Sequence, residues 1–271
     1  MGKLQDDTAL VERDGKLFAT LSRDWEIWGP NGGYVAAIAL RAAGKAAPAG
    51  HRPATISVQY LSAGQFAEAE AVVEAVKKGR SAWCINVALV QNGKRFLQAQ
   101  VWTTDRSEGP NSNEHEMPDV PGPAGLKSYA EIYPRESEKR NFWDNFEGRP
   151  TRIYTREDPS PDATIREWHR YPGFDAGGDV FADFARPLIL IDTLQWPAHN
   201  RPLPSYPSYI APSLDVSVWF HQAPGTAVWL LADVHTATAV GGLIHGAARV
   251  WSEDGRLLAS GSSHMIVTPR G

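Results

Sequence analysis

Cysteine is almost missing from this chain: among 271 residues there is one, Cys84. No intrachain disulfide can form, which fits a reducing, cytoplasmic setting. Long apolar runs are missing too. No stretch approaches the roughly 20 residues of a membrane span, and the opening MGKLQDD lacks a signal-peptide core. Charge of one sign is scarce, with a formal net charge of −4 and a pI near 6.1. No global field draws the protein to nucleic acid or to an anionic membrane. Catalytic signatures are sparse. There is no GxSxG elbow, no Walker loop, and no HExxH or HxH spacing. His221, His235, His245 and His264 fall in four separate strand-like segments without accompanying carboxylates, so they read as strand residues and no metal is expected. Cys84, in the apolar AWCINVALV, reads as an inert core thiol.

What is abundant is strand signal. Val11–Arg13 and Lys16–Leu21 flank Asp14-Gly15, a hairpin dipeptide. A helix is predicted from about Gly33 to Lys45, then strands over Thr55–Leu61, Glu70–Val76, Ala82–Val90 and Arg95–Thr103, the last two joined by Asn92-Gly93. Residues 106–162 change character: proline, glycine, serine, asparagine and charge dominate, with one short helix expected near Glu136–Phe146. From Thr164 the first pattern returns. A strand over Thr164–Tyr171 precedes a helix from about Pro187 to Ala198, with proline in its first turn. Strands follow over Ser213–His221, Trp229–Val234, Leu243–Trp251 and Leu257–Val267. TISVQYLSAG matches LDVSVWFHQAPG at an offset of 160, and the two closing hairpins match at 162. The chain is therefore read as an internal duplication: one unit over 1–105, an excursion over 106–162, and a second unit over 163–271. The first helix is apolar nearly all round, so a curved antiparallel sheet must wrap it. Ten tryptophans point to large apolar surfaces.

Two glycines at the mouth of that helix, in WGPNGGYVAAIALRAAG, demand a reason, because glycine there costs backbone entropy. Free N–H groups point outward at a helix N-terminus, and the dipole favours negative charge. Something there wants bare backbone, and Asn31 reads as the helix cap. The competing account is a plain Asn-capped helix whose glycines permit close packing.

GPNGGYVAAIALRAA, SVQYLSAG, SLDVSVWFH and DGRLLASGSSHMIV together resemble the acyl-CoA thioesterase II-like double hotdog family over both units, though not over the excursion. The resemblance implies an α+β double hotdog: two antiparallel sheets, each around a central helix, joined edge to edge. It implies hydrolysis of an acyl-CoA by activated water, with no cofactor beyond the coenzyme A of the substrate, and a homodimer. It makes Gly32, Gly33 and the Tyr34 amide the candidate donors to the developing oxyanion at the helix mouth, and it places an aspartate, a threonine or serine, and a glutamine at the site. Asp215 falls on the aspartate, and Thr236 or Thr238 on the hydroxyl. Ser263 stands where the glutamine belongs, a departure that puts rate, substrate or reaction in question.

Strand alternation puts Asp215, Ser217, Trp219 and His221 on one face and Val216, Val218 and Phe220 on the other. Trp219 and His264 are candidate substrate contacts, and Lys78 and Arg80, in KKGRS, candidates for the coenzyme A phosphates. The first-unit counterpart of Asp215 is Thr55, so one site per chain is expected, built from the first helix mouth and the second-unit aspartate. A non-catalytic acyl-ligand binder and a hotdog hydratase are the rival readings.

Overall fold

The computed structural model describes residues 2–134, 142–155 and 157–270. A short helix α1 (Leu4–Asp7) leads into β1 (Val11–Arg13) and β2 (Lys16–Thr20). Helix α2 (Gly32–Ala46) follows, then β3 (Arg52–Tyr60), β4 (Glu68–Lys78), β5 (Ala82–Gln91) and β6 (Lys94–Thr104). The excursion carries α3 (Tyr129–Ile132), a 3-10 turn over Phe142–Asn145 and β7 (Glu147–Pro150). The second unit holds β8 (Thr164–Arg170), α4 (Val180–Thr193), α5 (Gln195–Asn200) and β9 (Tyr209–Ile210). It closes with β10 (Ser213–Phe220), β11 (Leu230–Val240), β12 (Leu243–Ser252), β13 (Leu257–Ile266) and β14 (Thr268–Pro269).

Asp14-Gly15 and Asn92-Gly93 turn as their dipeptides predict, with φ of 52° and 72° in the first and 50° and 72° in the second. The helix expected near Glu136–Phe146 lies largely outside the described residues; Phe142–Asn145 form a 3-10 turn. The second long helix starts earlier than its proline suggests. Asp179 caps it, accepting from the Phe181 and Ala182 amides, and Pro187 sits inside. An apolar stretch buried on all sides carries the proline, so packing outweighs its local cost.

Twelve strands form one antiparallel sheet in the order β1-β2-β4-β5-β6-β3-β10-β13-β12-β11-β8-β7. The two units meet at β3–β10. There Ser57 pairs with Ser217, and their hydroxyls stand 3.2 Å apart. These residues are 160 positions apart, the offset of the repeat, so the pair marks the point about which the two units are related. Helices α2 and α4 pack against each other antiparallel inside the sheet: Gly32 approaches Asp192, Gly33 approaches Ile189, and Gly44 approaches Phe181. Val35, Ile38 and Leu40 of α2 and Leu188, Ile189 and Ile191 of α4 are wholly or nearly wholly buried. Each such side chain stabilises the fold by about 1.5–3 kcal/mol. On the outer face, Trp168, Trp229 and Trp251 are covered by Met117, Val120 and Leu126 of the excursion. Among the described residues no helix is long and apolar enough to cross a membrane.

Candidate functional site

The first turn of α2 spends its amides unequally. Asn31 Oδ1 accepts from the Tyr34 N–H at 2.8 Å, while Asn31 Nδ2 donates to Thr193 Oγ1 at 3.1 Å. The Gly33 N–H donates to the carboxylate of Asp192, at the end of α4. The Gly32 N–H has no acceptor among the described residues. A Cβ on Gly32 would stand 2.7 Å from Asp192 Oδ2, and one on Gly33 would stand 2.8 Å from the Ile189 Cα. Both glycines are thus there for close approach: one to a carboxylate, one to the backbone of the opposing helix.

Asp192 is buried. Its Oδ1 accepts from Ser213 Oγ at 3.0 Å and from the Tyr60 hydroxyl at 3.3 Å. Burial raises its pKa to about 6, against the lowering effect of the bonds from Ser213, Gly33 and Tyr60. Ser213 opens β10 and Tyr60 ends β3, so the seam between the units supplies both hydroxyls. Asp192 therefore sits at the helix mouth where the sequence suggests a carboxylate, but it comes from the helix and not from a strand.

Asp215 lies elsewhere. Val216, Val218 and Phe220 face the helices, so Asp215 takes the outer face of the sheet, half-buried. Its carboxylate accepts from the His264 amide at 3.3 Å and stands 3.6 Å from His264 Nδ1. A bulge between Ser213 and Asp215 separates the two. Leu214 is the extra residue, and it lets Ser213 point inward while Asp215 points outward.

The other predicted residues do not gather at the helix mouth. Thr236 is buried and donates to the Gln195 carbonyl at 3.0 Å, while Thr238 is exposed beyond a second bulge in β11. Ser263 is buried and donates to the Asp215 carbonyl at 2.7 Å. Trp219 and His264 are exposed on the outer face, the His264 ring 4.7 Å from that of His245. Lys78 ends β4 with its ammonium 5.3 Å from the Trp83 ring, and Arg80 lies in the turn that follows. None of these residues lines the cavity described below. Tyr34 is structural: its amide is spent on the cap, its ring stacks on Trp25 at 5.0 Å, and its hydroxyl bonds Ser22 and Asp7 backbone. Sequence reasoning missed Asp192, Ser213 and Tyr60. The available signal was the lone aspartate in LILIDTLQW, an acid in an otherwise apolar helical run.

Asn31, Gly32 and Asp192 open onto a cavity of about 1330 Å³. Trp28 and Trp196 wall one part, and Tyr133, Trp143 and Phe146 of the excursion wall another. A second polar group faces the same space. Glu167 on β8 accepts from the Tyr129 hydroxyl and from Arg201, and stands 3.3 Å from His169 Nε2. Burial alone would raise the Glu167 carboxyl, but His169 and Arg201 overcome that and lower it to about 2. The opposite end of the helix pair is built differently and borders a smaller cavity of about 300 Å³, lined by Asp179, Val180 and Asp183 among others. There Gly44 faces the Phe181 ring where Gly32 faces Asp192, and Arg41 pairs with Asp179 at 2.9 Å.

The chain matches the model of an acyl-CoA thioesterase N-terminal domain over residues 21–104 and of an acyl-CoA thioesterase C-terminal domain over residues 113–267. It is 25% identical over 217 residues to acyl-coenzyme A thioesterase 8 of Rattus norvegicus, covering 72% of this chain and 66% of that protein. The chain thus spans slightly less than two thirds of the length of the curated relatives it matches. Among solved structures, a hot dog protein of unknown function from Alicyclobacillus acidocaldarius superposes with a TM-score of 0.83 at 22% identity, covering 99% of this chain and 98% of that one. The acyl-CoA thioesterase II TesB2 from Mycobacterium marinum superposes with a TM-score of 0.80 at 17% identity, covering 99% of each chain. A double hotdog built on one continuous antiparallel sheet, matched across both units, places the chain in the acyl-CoA thioesterase family.

Proposed function

We propose that the protein hydrolyses an acyl-CoA thioester by direct attack of water, with Asp192 as the general base. One observation carries this reading: a buried carboxylate with a pKa near 6 opens onto a large cavity at the N-terminus of a buried helix. A base of that pKa is ionised at neutral pH yet still takes a proton readily. Asp192 removes a proton from water as the oxygen bonds to the thioester carbon. The carbonyl oxygen gains the negative charge, and the Gly32 N–H with the α2 dipole stabilises it. The carbon–sulfur bond then breaks, and the proton held by Asp192 goes to the departing coenzyme A thiolate. Ser213, Tyr60 and the Gly33 amide fix the carboxylate's position. No covalent intermediate is needed.

Ser263 takes no part in this scheme, because its hydroxyl is committed to the Asp215 carbonyl. The test is free-thiol release from short, medium, long and aromatic acyl-CoAs by the wild type, Asp192→Asn and Asp215→Asn. The expected result is loss with Asp192→Asn and retention with Asp215→Asn. The reverse pattern would overturn the assignment.

A further inference from the structure

Coenzyme A brings phosphates to the site, and the residues that the sequence suggests for them, Lys78 and Arg80, lie off the cavity. The cavity carries other cations. Among the described residues, the guanidiniums on its wall are those of Arg201 and Arg270. Arg201 is spent: it donates to the Tyr129 hydroxyl and pairs with the buried carboxylate of Glu167. Arg270 is exposed. Its backbone N–H donates to the Ser208 carbonyl at 3.2 Å, while its guanidinium has no ion pair, hydrogen bond or ring contact among the described residues.

The fold fixes Arg270 at one end of the cavity. Strands β9 and β14 form a two-stranded ribbon outside the main sheet, with Pro269 opposite Tyr209. The ribbon runs on from the strands that hold the site. Ser213, which donates to Asp192, pairs with Met265 of β13. Arg270 follows Met265 by five residues, a path of at most about 18 Å. The pantetheine arm of coenzyme A has about twelve chain atoms between sulfur and phosphorus, as many as four residues, and spans at most about 14 Å by the same measure. With the sulfur beside Asp192, the arm brings the pyrophosphate within reach of the Arg270 side chain.

The other end of the cavity offers a phosphate no such cation. Asp144, Glu147, Glu157 and Glu167 line it. Glu147 holds Arg149 and Arg170, and Glu167 holds Arg201. The guanidiniums there are already bound to carboxylates, and the rings of Tyr133, Trp143 and Phe146 supply apolar wall. That surface suits an acyl group. We infer that Arg270 binds the pyrophosphate of coenzyme A and thereby sets the direction of the substrate. Coenzyme A leaves the cavity over the β9–β14 ribbon, and the acyl group lies against Tyr133, Trp143 and Phe146. The inference rests on the thioesterase reading for its substrate. Arginine takes phosphate oxygens through charge-assisted hydrogen bonds, stronger than neutral ones. Loss of one such bond corresponds to about a tenfold change in affinity.

The test is steady-state kinetics of the wild type, Arg270→Gln and Arg270→Lys on one acyl group carried by coenzyme A, by 3′-dephospho-coenzyme A and by pantetheine. Arg270→Gln is expected to raise KM for both coenzyme A forms about tenfold relative to its effect on the pantetheine thioester, with the loss in KM and not in kcat. Arg270→Lys should restore part of it, and added salt should narrow the gap. A rise confined to the carrier with the 3′-phosphate overturns the assignment to the pyrophosphate. A rise equal on all three carriers, or no rise, overturns the phosphate contact. Trp143→Ala reads the direction: it should shift the ratio of long to short acyl groups, and a shift in the ratio of coenzyme A to pantetheine carriers instead overturns it. Calorimetric binding of free coenzyme A and free pantetheine to the intact chain repeats the contrast without turnover. Weaker coenzyme A binding by Arg270→Gln, with no hydrolysis of any thioester by the wild type, supports the phosphate contact and overturns the thioesterase reading.

Discussion

Replacing Asp192 by asparagine should make the protein more stable and less active. The carboxyl has an ordinary value of 3.8 and is raised to about 6 in the fold. The folded state therefore binds its proton more tightly than the unfolded state does. Between pH 3.8 and 6 the folded state holds more protons, so stability falls as pH rises through that window. At about 1.4 kcal/mol for each pH unit, the ionised aspartate costs about 3 kcal/mol above pH 6 and nothing below pH 3.8. Asparagine avoids this cost. It keeps an acceptor for Ser213, Tyr60 or the Gly33 amide, but its own amide must find a partner, which reduces the gain to about 1–3 kcal/mol. At pH 8 that corresponds to a rise in Tm of roughly 2–10 °C for a chain of this size. The assay is denaturant unfolding of both proteins from pH 3.5 to 8, beside thiol release at pH 8. The difference in stability between variant and wild type should grow by about 3 kcal/mol across the window while activity falls by about 10²–10⁴. A stability difference that is flat with pH would refute the reasoning, because it would mean that this carboxyl titrates normally.

Wild-type kcat/KM should rise with pH through about 6, since the base acts ionised; a profile flat from pH 5 to 8 would contradict the role of Asp192. Ser213→Ala removes a hydrogen bond that favours the ionised form, so the inflection should move to higher pH with an activity loss of about tenfold. The two glycines should separate cleanly. Gly32→Ala presses on the Asp192 carboxylate and should cost activity about a hundredfold, read in thiol release. Gly33→Ala meets the Ile189 backbone and should cost about 1–3 kcal/mol of stability, read by denaturant unfolding. Removal of the Arg41 side chain leaves Asp179 without its cationic partner at the far end of the helix pair; Arg41→Ala should lower the unfolding midpoint without altering the pH dependence of hydrolysis.

Periodicity made the architecture legible. Asp14-Gly15 and Asn92-Gly93 turn where their dipeptides require, and the offset of 160 reappears as the Ser57–Ser217 pair at the seam. The position of α2 and its Asn31 cap were also readable, because capping is local chemistry. The site was readable only in part. Alternation along SLDVSVWFH correctly groups Asp215 with Ser217 and Trp219, but alternation names no inward face, and the bulge at Leu214 breaks it before Ser213. Asp192 was hidden although it lies inside the predicted Pro187–Ala198 helix, because nothing in that run tells which end of the helix meets the glycines of α2. Its meaning comes from an antiparallel contact between helices about 150 residues apart in sequence, which no local pattern encodes. The cluster of Tyr129, Glu167 and Arg201 was hidden for a like reason, since it joins the excursion and the stretch after α5 to β8.

The excursion has a consequence for how such an enzyme changes over time. Asp192, Gly32, Tyr60 and Ser213 belong to the two repeated units, whereas Tyr129, Tyr133, Trp143, Phe146 and Gly148 belong to the connecting stretch. The machinery is thus carried by the repeats alone, whereas the container is shared: Trp28 and Trp196 come from the repeats and Tyr133, Trp143 and Phe146 from the connector. A duplication event supplies the first at once, under the tight constraint of a shared core. The connector's share of the second answers mainly to surface packing and tolerates insertion and replacement. Substrate range can drift in the connector while the reaction stays fixed in the repeats. Exchanging residues 106–162 between related chains is accordingly the direct route to a new specificity with the old chemistry.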